Sequence, residues 1–197
     1  MEDRSWVKGL VPETLDAHRA AIDAVACLEP SILEVARRME RCLAAGGKIC
    51  WMGNGGSAAD SQHLAAELVG RFRGERPAMA SIALTTDSSI LTSAANDAGF
   101  ETVFARQVRA LCRPEDMAVG LSTSGRSANV LEGLRAAREL GLFTVGLCGG
   151  AGGELAELAD RALVVPSEDP ARVQEAHMVI GHIWCEYLDA WRRSRSA

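Results

Sequence analysis

The stretch 48–71, KICWMGNGGSAADSQHLAAELVGR, narrows the choice of fold more than any other part of the chain. A short apolar run from Ile49 to Met52 stops at Gly53-Asn54-Gly55-Gly56-Ser57, and an Ala-rich segment carrying His63 and Glu67 follows at once. That order predicts a strand, a tight turn and a helix. Glycines let the backbone turn sharply and approach a ligand closely, while Ser57 or Asn54 is placed to cap the first N–H groups of the helix. Such a turn suits an anion. His63 and Glu67 stand four residues apart, on one helix face about 40° apart and roughly two turns beyond the glycines. An anion cradle and a reactive pair therefore share one element. Gly53, Gly55 and Ala58 also satisfy the dinucleotide pattern G-x-G-x-x-G/A, but that fingerprint expects an acidic residue about twenty positions on, at the end of the second strand. Here Glu75 precedes the predicted second strand and Asp87 lies beyond the spacing, so no nucleotide cofactor is expected.

Before this stretch, apolar residues recur at helical spacing over 12–28 (Leu15, His18, Ile22, Val25, Ala26) and 31–45 (Ile32, Val35, Ala36, Met39, Leu43). Ser31, with Glu34 three residues on, has the form of a capping box, and Gly46-Gly47 closes the second helix. These helices need a surface to pack on, either the sheet or a partner subunit. After the stretch, the runs 79–84, 117–122, 142–148 and 162–165 read as buried parallel strands. Helical patterns over 88–95, 101–111, 127–140 and 153–158 lie between them, and a final helix over 170–191 carries Gln174, His177 and His182. This alternation predicts an α/β fold, a doubly wound five-stranded parallel sheet flanked by helices. One domain is expected over 1–197, with N-terminal helices in 1–47 and the sheet core and C-terminal helix in 48–191.

The net charge of −5 and the scatter of basic residues argue against nucleic acid as a partner. No apolar run approaches the ~18 residues that would span a bilayer, and no basic start leads into an apolar core, so a cytoplasmic protein without membrane contact is expected. The six cysteines, Cys27, Cys42, Cys50, Cys112, Cys148 and Cys185, form no CxxC pair and read as small buried hydrophobes.

Ligands of doubly wound sheets bind beyond the carboxyl ends of the strands. The third predicted strand ends in Ser122-Thr123-Ser124-Gly125-Arg126-Ser127 and enters a helix. Hydroxyls and backbone donors without a lysine suit a phosphate monoester, and the Gly-Lys-Ser/Thr of a nucleoside triphosphate loop is absent. A helix cap would account for one or two of these hydroxyls, not for the set.

GNGGSAADSQHLAAEL, AANDAGFETVFARQ, LSTSGRSANVL and VQEAHMVIGHIWCE, spread over 53–186, together resemble the sugar isomerase (SIS) family in its phosphoheptose isomerase branch. The resemblance implies an isomerase that converts sedoheptulose 7-phosphate to D-glycero-D-manno-heptose 7-phosphate, assembled as a homotetramer. It implies that Asn54, Gly55, Gly56, Ser57, Asn96, Asp97 and Gln174 line the substrate site with Glu67. Ser122, Thr123, Ser124 and Ser127 would hold the phosphate. His63, Glu67, Gln174 and His182 match positions that bind zinc in members that carry it, one ion per subunit, and Glu67 and His182 match the proposed base and acid. A carboxylate fixed on a metal is a poorer base than a free one, and Glu67 is expected to act as the base. The same pattern occurs in a replication-initiation regulator that binds DnaA, and a non-catalytic SIS module that senses a sugar phosphate is a third reading. Retention of both Glu67 and His182 favours the enzyme.

The chemistry has its own requirements. Moving a proton between neighbouring carbons through an enediolate needs a base beside them, an acid serving the oxygens and something to offset the negative charge. Gln174 and His182 are eight residues apart, about 800° of helix, and face one side. His177 reads as a structural histidine, supporting the site at most, His18 matches no functional position, and Trp184 and Trp191 read as packing residues.

Overall fold

Every residue of β1 (Ile49–Gly53) and of β3 (Met117–Leu121) is buried, which places both strands in the interior of a parallel sheet. In the computed structural model, which describes residues 7–195, β1 lies between β3 and the short edge strand β2 (Ser81–Ala83). Beyond β3 follow β4 (Phe143–Gly149) and β5 (Arg161–Val165), giving the all-parallel order β2-β1-β3-β4-β5. The five-stranded doubly wound sheet expected from the sequence is the observed one. β2 is shorter than the apolar run 79–84 because the Met79 N–H donates to the Leu68 carbonyl (3.1 Å) and not to a strand.

Alternation along the strands divides the core in two. Ile49, Trp51, Val119, Leu121, Val145 and Leu147 face one layer, built of α1 (Leu10–Val25), α2 (Glu29–Ala44), α3 (Gly56–Val69) and α8 (Pro170–Ser194). Met52, Ala118 and Cys148 face the other, built of α4 (Ser88–Ala98), α5 (Val103–Leu111), α6 (Ala128–Glu139) and α7 (Gly153–Leu158). Trp184 of α8 packs on Trp51 at 6.3 Å between ring centroids. Both indole N–H groups are satisfied, Trp184 on the Ile32 carbonyl (3.0 Å) and Trp51 on the Ser81 hydroxyl (2.8 Å). Trp191 packs at the margin of the same core, so both tryptophans are packing residues as read.

The N-terminal helices differ from expectation in how they join. A single 3₁₀ turn, Ala26–Leu28, connects them, and α2 starts at Glu29 with Leu28 in the cap position and no side-chain cap. The capping box at Ser31 does not form. Proline has no N–H to lose in a first turn, so Pro30 lets the helix begin upstream and leaves Ser31 inside it. Only Ala21 and Val25 of α1 are buried, while Val7, Leu10, Val11 and Leu15 are 42–67% exposed. The second half of α1 thus packs on the molecule, and the first half presents an uncovered apolar strip. Cys27 is exposed, contrary to its reading as a buried residue; it sits in the 3₁₀ turn, none of whose residues is fully buried. No helix among the described residues is long and apolar enough to cross a membrane.

His177 of α8 is fully buried, its Nε2 donating to the Cys148 carbonyl at 3.3 Å and its Nδ1 left without a partner. Burial pushes its pKa down to about 4, against the hydrogen bond to Cys148. Its folded value lies below the unfolded value of about 6.5, so the stability that it contributes is present above that pH and is lost as pH falls toward the folded value. Denaturant titrations should show about 2 kcal/mol less stability from this group at about pH 5 than at about pH 7. His177→Gln should flatten that acid limb, and an unchanged slope in the variant would assign the loss elsewhere.

Candidate active site

The chain leaves β1 toward β2 on one side and returns to β3 on the other, so the carboxyl ends of β1 and β3 form the switch point of the sheet. The turn after β1 runs through Gly53, whose Cβ, if present, would stand 2.8 Å from the Ser57 side chain. Gly55 then adopts φ 55° and caps α3 with its carbonyl, which accepts from the N–H groups of Ala58 and Ala59. No side chain caps this helix, contrary to the reading of Ser57 or Asn54 as the cap. Ser57 is buried, and its carbonyl accepts from the Ser61 hydroxyl. Asn54 pairs instead with Asn129 of α6, each amide donating to the other at 2.8 Å.

The turn after β3 gathers hydroxyls. The buried Ser122 Oγ stands 2.9 Å from Ser127 Oγ and 3.5 Å from Ser124 Oγ, and it accepts from the Ser127 N–H at 3.4 Å. Gly125, at φ 64°, lies so close against the Gly152 carbonyl that no larger residue fits. A cavity of about 220 Å³ opens beside Thr123, Ser124 and Arg126 and is lined also by Ser167 and Glu168.

The second half of the site is the contact between α3 and α8. His63 Nε2 and His182 Nε2 are 3.0 Å apart, and Glu67 Oε1 is 3.5 Å from His63 Nε2. Gly181 makes this approach possible, since a Cβ there would lie 2.5 Å from Leu64. The Phe72 ring stacks on His182 at 5.3 Å. Burial draws the His182 pKa down, the charge of His63 adds to the effect, and Glu67 opposes it. One ring must donate and the other accept, so a single proton lies between them.

Asp60, one turn before His63, was not picked out by the sequence reading. It is buried, and its Oδ1 accepts from the Gln174 amide at 2.8 Å while Oδ2 has no partner. Burial raises its pKa, against the Gln174 bond and the charge of His63. With its N–H on Asp60, Gln174 keeps its carbonyl oxygen free, and its side chain packs under Gly56. The spacing D-x-x-H-x-x-x-E, which sets Asp60, His63 and Glu67 along one helix face, is the signal that would have found it.

The segment 71–80 ties the end of α3 to α8. The Arg76 side chain, 0% exposed, donates Nε to Asp189 at 2.5 Å and its Nη groups to the carbonyls of Glu67 (2.6 Å) and Leu68 (3.0 Å). Asp189 also accepts from the N–H groups of Arg73 and Gly74. Burial works to raise its pKa, but these donors and the Arg76 charge hold it below the ordinary value.

Not all sequence-selected residues meet. Asn96 and Asp97 lie on exposed positions of α4 and bond to each other at 2.9 Å. His18 pairs with Glu175 of α8 at 2.7 Å. Among the described residues, the one group of three His, Cys, Asp or Glu side chains with ligand atoms mutually within 4.8 Å is Cys50, Cys112 and Asp116. Glu67 and His182 therefore flank His63 without themselves standing in contact.

The SIS domain family model matches residues 15–149. A phosphoheptose isomerase of Roseiflexus sp. (strain RS-1) is 50% identical over 184 residues, which cover 93% of this chain and 92% of that protein. The chain belongs to the SIS family, in its phosphoheptose isomerase branch. Phosphoheptose isomerase 1 of Campylobacter jejuni is likewise 50% identical over 180 residues, 91% of this chain and 97% of that protein. Among solved SIS structures, phosphoheptose isomerase GmhA from Neisseria gonorrhoeae superposes with a TM-score of 0.87 at 41% identity, over 94% of this chain and 100% of that one. The fold of this branch is thus the fold described above.

Proposed function

We propose that the protein is an aldose–ketose isomerase that converts sedoheptulose 7-phosphate to D-glycero-D-manno-heptose 7-phosphate. The observation that supports this most is the cluster of His63 and Glu67, on the helix that follows β1, with His182 of α8, in a molecule whose neighbouring strand β3 ends in a lysine-free hydroxyl turn. The names of the relatives supply the substrate class. The readings as a DnaA-binding regulator or a non-catalytic sensor draw no support from those relatives.

In this mechanism Ser122, Thr123, Ser124 and Ser127 hold the phosphate, with the first turn of α3, which no side chain caps, beside them at Gly55, Gly56 and Ser57. Asn54, Gln174 and Glu67 line the sugar. Glu67, only 21% exposed in its side chain, takes the proton from the carbon beside the carbonyl and returns it to the neighbouring carbon. His182, whose pKa burial draws down, exchanges protons with the oxygens, and His63 shares its proton. Asp60 positions Gln174 by fixing its amide.

The donor set also fits zinc. The two imidazole Nε2 atoms already converge, Glu67 lies one turn from His63, and Gln174 presents a free carbonyl oxygen; imidazole and carboxylate suit this ion. When bound, it would polarise the substrate oxygens. The exposed apolar strip of α1 supports association with further copies; in the homotetramer that the resemblance implies, the exposed Asn96 and Asp97 would serve a site across a subunit contact.

Incubation with sedoheptulose 7-phosphate, followed by NMR, should show the aldoheptose 7-phosphate. Glu67→Gln keeps the shape but cannot accept the proton, so turnover should fall ~10²–10⁴-fold and deuterium uptake from solvent should vanish with it. Robust uptake in Glu67→Gln together with its loss in His182→Ala would make the histidine the base. Protein prepared without chelator should carry zinc that His63→Ala releases; metal analysis finding none in either protein would remove the ion and leave the acid–base chemistry. Light scattering should give four chains per particle, and a single-chain mass would refute the assembly.

A further inference from the structure

Toward the amino end of the strands, away from this site, Cys50 and Cys112, 62 residues apart in sequence, bring their sulfurs to 3.4 Å. Cys50 lies in β1, between Ile49 and Trp51, and its side chain points with that of Met52 toward the α5 layer. Cys112 is the C-cap of α5 and is partly exposed. Neither residue belongs to the proposed reaction.

Asp116 completes a triad of ligand type with them, but its oxygens are committed. Oδ1 accepts from the Lys48 N–H (2.8 Å), and Oδ2 accepts from the Arg113 N–H (2.8 Å) and from the Lys48 ammonium. A cation would have to displace that ammonium, and two sulfurs alone fall short of the four ligands of a structural zinc site. The same ammonium favours a thiolate at the pair, and the Asp116 carboxylate opposes it. The hydrogen bond between the two sulfurs draws the Cys112 thiol down from its ordinary pKa and pushes Cys50 up.

We propose that Cys50 and Cys112 form a modification site, a dithiol that low-molecular-weight disulfides such as glutathione disulfide convert to an intrachain disulfide. The accessible Cys112 attacks first: its thiolate bonds to one sulfur of the oxidant and expels one glutathione thiolate. Cys50 then loses its proton and attacks the Cys112 sulfur of the mixed disulfide, expelling the second glutathione. Two protein thiols are oxidised, one disulfide is reduced, and the two protons end on the two glutathiones. A disulfide length of about 2.05 Å requires the sulfurs to close by little more than about 1 Å. The cross-link would fasten β1 to the end of α5.

Cys42 is an internal control. Its Sγ lies 3.5 Å from the Lys48 carbonyl beside the same ion pair, but burial pushes its pKa up to about 12, and it has no sulfur partner.

The test uses the full chain, fully reduced and then exposed to glutathione disulfide without metal, with non-reducing peptide mapping. The expected product has lost two thiols together and yields one linked peptide pair containing Cys50 and Cys112. Cys50→Ala should trap a glutathionyl group on Cys112 as a stable mixed disulfide, whereas Cys112→Ala should leave Cys50 unmodified. Wild-type protein that keeps both thiols, or that links either to another cysteine, overturns the proposal. So does glutathionylation of Cys50 in Cys112→Ala, which would reverse the assigned order. The wild-type map decides the matter alone if a variant fails to fold.

Discussion

The approach of α8 to α3 at Gly181 is the contact on which the site depends. Leu64 fills the space where a Cβ of Gly181 would stand, and each of these two residues adjoins a histidine of the site in sequence, Leu64 following His63 and Gly181 preceding His182. The spacing of the helix axes and the spacing of the imidazoles are therefore one quantity. Packed interiors transmit displacements with little loss. A methyl group at Gly181 would push apart the two imidazoles of the candidate site. Asp60 with Gln174 and Arg76 with Asp189 tie the same two helices on either side of this contact, so the histidines sit between two fastenings.

Charge is distributed with a similar economy. Arg76 brings a cation to the carbonyl end of α3, where the helix dipole favours one, and Asp189 neutralises it on the neighbouring helix. Breaking such a buried pair leaves an uncompensated charge, which explains why the segment 71–80, otherwise a surface loop without regular structure, is anchored so firmly. At the opposite end of the strands Lys48 and Asp116 form the corresponding pair at the start of β1 and β3. One ion pair braces the reactive groups and the other lies beside two thiols.

Much of this was legible in the sequence, for a physical reason in each case. Strands buried on both faces must be continuously apolar, and β1, β3 and β4 were read from that property alone. The glycine turn and the serine turn carry their geometry in their composition. His63 and Glu67 share a face through their spacing, as do Gln174 and His182. That the two faces meet could not be read, because no local pattern encodes a contact between α3 and α8; only the resemblance supplied it. Asp60 was missed because a lone carboxylate on a helix ordinarily faces water. Ser31 was misread because a proline in a first turn hides where the helix begins. The nearness of Cys50 and Cys112 follows from strand order and packing, which cysteine spacing does not reveal. Asn96 and Asp97 came from the resemblance, and within one chain nothing joins them to the other residues.

The reciprocal amide bond between Asn54 and Asn129 has a consequence for how such a protein can change. Each side chain gives its donor to the other and takes the other's donor in return, which locks the turn after β1 to the helix that follows β3. Aspartate at either position would set oxygen against oxygen, and a shorter residue would strand the surviving amide. No single substitution keeps both bonds, so the two positions can drift only as a pair. The join between the turn and the helix is inherited whole, and variation is left to the residues around it.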